Sequence, residues 1–163
     1  MIIIQDTREQ RPLKFDHEYV TAVRKVKLDA GDYGCEFKYG FVPPVFFERK
    51  SIPDLFGTLG KGYKRFKNEI VLAEELGLKL VIIIEGSLTK VLEGTKYSKM
   101  DGRTVVRKLY TLWLKYDIPF VCCTNRKECS FYICEYYASI GRRVINDLKA
   151  VRVRGRNTTK VAK

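Results

Sequence analysis

Histidine is almost missing from this chain: His17 is the only one in 163 residues. The five cysteines, Cys35, Cys122, Cys123, Cys129 and Cys134, are odd in number, irregularly spaced and without the paired CxxC sets of a zinc site. They read as reduced core thiols. His17 reads as an ordinary surface or core histidine, because nothing near it in the sequence offers a catalytic partner. Long apolar runs are absent too. The longest, such as Leu80 to Ile84, are strand-sized, which excludes a membrane-spanning helix. Met1-Ile2-Ile3-Ile4 gives way at once to Gln5-Asp6-Thr7-Arg8, so no secretory signal is read and the protein is expected inside the cell. That means the cytoplasm, associated with the nucleoid, in a prokaryotic or viral setting, and the nucleus in a eukaryotic one. Gly57-Thr58-Leu59-Gly60-Lys61-Gly62 lacks the Gly-Lys-Ser/Thr ending of a phosphate loop and has no strand directly before it, which excludes a nucleotide cofactor there. No repeat or internal linker is visible.

Acidic residues are outnumbered: 19 Asp and Glu stand against 31 Lys and Arg, a net charge of +12. An excess that large in so short a chain calls for a polyanionic partner. It is also uneven, because residues 142 to 163 hold eight Lys and Arg against Asp147 alone. The bland reading is a solvated basic arm; the functional one is an arm that holds nucleic acid. The length suits one domain, expected over residues 1–150, with 151–163 as a basic and flexible C-terminal arm too poor in apolar residues to pack.

The order of elements follows from periodicity. Met1 to Gln5 reads as a buried strand that exits into a polar loop, Asp6 to Pro12. Val26 to Ala30 alternates and stops at the turn Gly31-Asp32-Tyr33-Gly34, after which Cys35 to Tyr39 and Val45 to Lys50 complete an expected antiparallel meander. Phe66, Ile70, Ala73 and Leu76 then recur at helical spacing up to Gly77. Leu80 to Ile84 has the continuous apolar character of a strand buried on both faces. Val105, Leu109, Leu112 and Tyr116 mark a helix before a strand at Pro119 to Cys123, and Cys134, Tyr137, Gly141, Val144 and Leu148 mark the last helix. The sum is an α/β domain with a mixed central sheet flanked by helices.

In a basic chain the acids stand out by where they fall. Asp6 and Glu9 lie at the exit of the first strand, Asp32 in a turn, and Glu48 near a strand end, which is where sheet proteins place chemistry. Residues two apart on a strand share a face, so Glu48 and Lys50 point together and Arg49 points away. A carboxylate beside an ammonium suits phosphodiester hydrolysis. Mg²⁺ or Mn²⁺ on a few carboxylates and a carbonyl would neutralise the phosphoryl oxygens and supply a nucleophilic water. Lys50 would stabilise developing charge or orient that water.

Gly31-Asp32, then Glu48-Arg49-Lys50, then Asp54 three residues on resembles the nuclease motif of the XPF family of structure-specific endonucleases. Asp6-Thr7-Arg8-Glu9 matches that family's upstream Asp-x-Arg-Glu. Gly60-Lys61-Gly62-Tyr63-Lys64-Arg65-Phe66 and the strand ending Ile84-Glu85-Gly86 extend the likeness over roughly residues 1 to 150. The resemblance implies a restriction-endonuclease-like core. It also implies a metal on Asp32, Glu48 and the Arg49 carbonyl, with Asp6 and Glu9 nearby and Asp6 counted among the ligands. Lys50 would be catalytic. The expected substrate is branched or partly single-stranded DNA, such as a flap, fork or junction. Family members usually carry tandem helix-hairpin-helix modules, and often a helicase-like region, that select branched DNA; neither is found here, so the basic tail or another protein would do the holding.

The expected phosphate contacts are Arg8, Arg49, Lys61, Lys64, Arg65, Arg142, Arg143, Arg152, Arg154 and Arg156. Lys61, Lys64 and Arg65 oppose the dipole of the helix they begin, which favours contact with phosphate over a merely solvated face. Asp54 has a structural reading as well, since Ser51 and Asp54 fit a capping box with Pro53 in the first turn. Asp32 as a plain turn residue, and Glu48 to Lys50 as a solvated strand end, are the bland readings of the centre. Phe46 and Phe47 argue instead for a half-buried site. The aromatic group Phe131, Tyr132, Tyr136 and Tyr137 is expected to pack the core on one side, and its excess could form a homodimer interface. Two rivals remain: a catalytically silent DNA-binding scaffold, which should have lost one of Asp32, Glu48 or Lys50, and a four-way-junction resolvase.

Overall fold

The side-chain alternation of one strand sets the layers of the molecule. The computed structural model describes residues 1–158, and the side chains of 1–149. In β5 (Lys79–Glu85), Leu80, Ile82 and Ile84 enter one core while Val81 and Ile83 enter another on the opposite face. Such a strand must lie inside the sheet. The six strands are ordered β2-β1-β3-β4-β5-β6, with β1 (Ile2–Asp6), β2 (Ala22–Val26), β3 (Tyr33–Glu36), β4 (Val45–Ser51) and β6 (Phe120–Cys123) around it. β4, β5 and β6 run parallel, β3 is antiparallel to both β1 and β4, and β2 runs parallel to β1.

Helices cover both faces. On one lie α1 (Ile52–Leu59), α2 (Tyr63–Glu75) and α4 (Gly102–Tyr116), whose Leu55, Phe56, Leu59, Phe66, Ile70, Val105, Leu109 and Leu112 meet Ile4, Phe46 and the even-numbered residues of β5. On the other lies α5 (Arg126–Thr158), whose Cys129, Ile133 and Tyr137 pack on Ile3, Tyr33, Cys35 and Phe47. Tyr137 donates its hydroxyl to the Val45 carbonyl at 2.7 Å. Short α3 (Leu88–Glu93) fills the crossover to α4, where the Asp101 carboxylate caps the backbone N–H groups of Arg103 and Thr104. All five cysteines are free and four are buried. No helix among the described residues is long and apolar enough to cross a membrane.

Two expectations need correction. The second strand is not Val26 to Ala30 but Ala22–Val26, exposed at every position. Leu28 is buried, yet its N–H donates to the Asp6 carboxylate at 2.8 Å rather than to a strand partner. The meander is therefore incomplete, because β2 sits outside β1 as a charged edge strand. The third strand starts at Tyr33 and ends at Glu36, where Lys38–Gly40 turn in a short 3-10 helix with Tyr39 at φ 63. The last helix begins at Arg126 and runs through Ala150 to Thr158, so residues 151–158 continue it. The arginines and lysines of that stretch are good helix formers. Arg152, Arg154 and Arg156 belong to this continuation, but their side chains, and residues 159–163 altogether, lie outside the described residues.

Candidate active site

Three strand ends converge on Asp32. Gly31 before it has φ 74, and a side chain there would stand 2.9 Å from the Phe46 Cβ, so the turn that delivers Asp32 needs glycine. The Asp32 N–H donates to the Phe47 carbonyl at 2.7 Å, and its own carbonyl accepts from the Asp6 N–H at 2.8 Å, which clamps the residue between β1 and β4. Its carboxylate Oδ2 accepts the Arg49 N–H at 2.8 Å. Burial, and next the charge of Glu48 nearby, push Asp32 up to about 7.

Glu48 and Lys50 do share a face of β4, and their side chains are ion-paired, Lys50 Nζ to Glu48 Oε1, with 13% and 17% of their surfaces exposed. Burial works against the ammonium of Lys50, but Glu48 beside it outweighs that and holds the group above its ordinary value. Lys50 is therefore a fixed cation. It also lies 5.6 Å over the Phe66 ring in α2, so the first turns of that helix border the site. Lys61, Lys64 and Arg65 are exposed there, with Arg65 3.5 Å from Glu69 in a solvated pair.

The opposite face holds Arg49. Its guanidinium donates to both Glu9 oxygens at 3.0 Å and to Glu85 at 2.6 Å, and only 9% of the side chain is exposed. Committed to two carboxylates, the Arg49 side chain braces the strand end from within. Burial raises Glu9, but the Arg49 hydrogen bonds, the Arg11 N–H and the charges of Arg49 and Arg126 together hold it below its ordinary value. Glu85, at the end of β5, also accepts from Arg126 at 2.9 Å. Neither Glu85 nor Arg126 was among the expected site residues; the signal was an acid at the exit of a buried parallel strand, registered with Ser51.

Asp6 is likewise engaged. Its Oδ1 accepts from the Arg8 N–H and Nε at 2.6 and 2.9 Å, its Oδ2 from Arg8 Nη2 at 2.9 Å and from the Leu28 N–H at 2.8 Å, and it is 1% exposed. Burial raises its pKa, but these hydrogen bonds outweigh burial and hold it low. Each Asp6 oxygen is thus engaged by two donors, which anchors Arg8 and the Leu28 N–H. Arg8 stays 62% exposed. Asp54 closes the capping box: Ser51 Oγ donates to its carboxylate at 2.6 Å and accepts from its N–H at 3.3 Å. Arg142 and Arg143 lie exposed on α5, far along the chain from the carboxylates.

Among the described residues no group of three or more His, Cys, Asp or Glu could hold a metal. What fits a hard divalent cation is smaller: two carboxylates, Asp32 and Glu48, with the backbone as further oxygen source. A cation there would favour the charged form of Asp32, which burial and then the charge of Glu48 disfavour.

No curated protein matches the sequence. Among solved structures, XPF from Aeropyrum pernix is similar at 22% identity and a TM-score of 0.66, covering 91% of this chain and 69% of that one. XPF from Aeropyrum pernix in complex with DNA is similar at 22% identity and 0.65, covering 87% and 65%. The chain thus spans about two thirds of the length of these structures, and the likeness fixes the fold as a restriction-endonuclease-like mixed sheet. The model of the ERCC4 domain matches residues 5–136, most of the chain, and this protein belongs to the ERCC4 domain family.

Proposed function

We propose that this protein is a metal-dependent DNA endonuclease that hydrolyses phosphodiester bonds in branched DNA, a flap, fork or junction. The observation that carries the reading is the pairing of Asp32 with Glu48 beside a fixed ammonium, Lys50, in a chain of net charge +12. Membership of the ERCC4 domain family and the likeness to a relative solved with DNA support DNA as the partner.

Asp32, Glu48 and the Arg49 carbonyl would hold Mg²⁺ or Mn²⁺, which when bound neutralises phosphoryl oxygens and makes water nucleophilic at neutral pH. The chain's own groups do the rest. The Arg49 N–H fixes the Asp32 carboxylate, and the Arg49 side chain ties that strand end to Glu9 and Glu85. Lys50, held charged by Glu48, offers a cation to the oxyanion that develops on the scissile phosphate. Arg8, Lys61, Lys64 and Arg65 remain exposed around this centre to take neighbouring phosphates.

The test uses labelled flap, fork, four-way-junction, single-stranded and duplex DNA with Mg²⁺, Mn²⁺ or EDTA. Cutting that needs the metal and is lost in Asp32→Asn and Lys50→Ala supports the reading. Tight binding without cutting would replace it with the silent scaffold, and cutting confined to four-way junctions would replace it with a resolvase.

A further inference from the structure

On the α5 side of the sheet lies a cavity of about 440 Å³ that the chemistry above leaves without a use. Its wall is aromatic. Phe15, His17 and Phe131 line it, and the His17 ring stands 5.6 Å from Phe131, so two rings adjoin in its wall. Phe131 is 57% exposed although it is a large apolar ring. Nothing in the core requires it to sit there.

The mouth is cationic. Lys14 and Lys127 are exposed, and among the described residues neither is in an ion pair, while Asp16 is the one exposed acid of the lining. Glu135 is already shared by His17 at 3.3 Å and Arg142 at 3.6 Å. Arg126 also lines the cavity: it donates to the carbonyls of Arg11 and Pro12 at 2.7 and 2.8 Å, and to Glu85, which holds Arg49. One side chain therefore separates this cavity from the network that fixes Asp32.

Exposed rings with free lysines at their edge recognise a ligand that is flat, apolar on its face and phosphorylated at its border. A paired duplex hides its base faces in the stack, so only an unpaired nucleotide can present one. We infer that this cavity seats an unstacked base of a single-stranded DNA segment, with the base on Phe131 and His17 and its flanking phosphates on Lys14 and Lys127. This rests on the endonuclease reading for the identity of the nucleic acid, and it adds a single-strand subsite to it.

Fluorescence anisotropy in EDTA, with a labelled oligothymidylate and a blunt duplex of the same length, tests the subsite without any cutting. Phe131→Ala is expected to weaken single-strand binding about tenfold while duplex binding changes no more than about twofold, and Phe131→Trp to restore the single-strand affinity. Phe131 is exposed, so its truncation leaves the core intact, which thermal melting checks. Equal single-strand affinity in wild type and Phe131→Ala, an equal loss on both DNAs, or no single-strand binding by the wild type would each overturn the subsite. Metal-dependent cutting is assayed on the same preparations. Its absence with single-strand discrimination intact removes the endonuclease reading and leaves the subsite standing, whereas cutting without that discrimination does the reverse.

Discussion

The Arg49 N–H holds the Asp32 carboxylate at 2.8 Å while the Arg49 side chain turns to the opposite face of the strand and grips Glu9 and Glu85. One residue thus serves the site with its backbone and braces it with its side chain. The two jobs predict different consequences for the residues on either side.

Asp32→Asn keeps an oxygen to accept the Arg49 N–H and removes the charge. Burial and Glu48 raise the folded carboxylate to about 7 from an ordinary value of 3.8, so between these values the unfolded chain has released a proton that the folded chain still binds. Metal-free stability of the wild type must fall as pH rises across that window and stay lowered above it. Melting curves without metal should show Asp32→Asn gaining on wild type from pH 4 to pH 7, with no further gain by pH 8, although cutting is abolished. A constant difference across this range would mean that Asp32 is not raised by its surroundings.

Arg49→Ala leaves Glu9, 6% exposed, without its cation and deprives Glu85 of one of two. Breaking a partly buried pair from one side costs about 3 kcal/mol. Arg49→Lys should recover little of this, because one ammonium cannot reproduce the forked contact to Glu9 together with the bond to Glu85. Urea unfolding checks it; a cost within about 0.5 kcal/mol, the range of ordinary surface substitutions, would deny Arg49 its bracing role.

Asp6 separates positioning from ligation. If it only anchors Arg8 and Leu28, Asp6→Asn loses about 1–2 kcal/mol of stability at neutral pH yet keeps the rise in melting temperature that Mn²⁺ brings. Because Asp6 is held low in the folded state, its stabilisation is present above the ordinary carboxylate range and disappears as pH falls through its folded value, so variant and wild type should converge in acid. Abolition of the Mn²⁺ response by Asp6→Asn would place Asp6 on the metal after all.

Asp32, Glu48 and Lys50 were legible because a strand's period of two, together with turn residues, fixes which side chains share a face without any knowledge of the tertiary fold. The helices built on Phe66, Val105 and Tyr137 were legible from their 3.6-residue spacing. β2 was not, since an edge strand exposed at every position carries no apolar alternation to read. The Glu85–Arg126 link was hidden for another reason: it joins a strand end to a helix start only after β5 and β6 have paired. Arg49 looked like one more basic residue because sequence shows a charge but not the carboxylates that will claim it.

The basic C-terminal stretch yields the last prediction. Residues 150–163 carry five Lys and Arg and no acid. Each phosphate a protein neutralises contributes about 0.9 to the slope of log affinity against log salt. Ending the chain at Lys149 keeps Phe47, Tyr132, Tyr136 and Tyr137 in their packed positions on the α5 side of the sheet, so the fold should survive. If the stretch lies along DNA, the truncated protein should bind duplex with a slope flatter by about 3 to 4 and with its metal-dependent cutting impaired mainly at high salt. An unchanged slope would assign DNA holding to Arg8, Lys61, Lys64 and Arg65, and would leave the basic end as a solubilising feature.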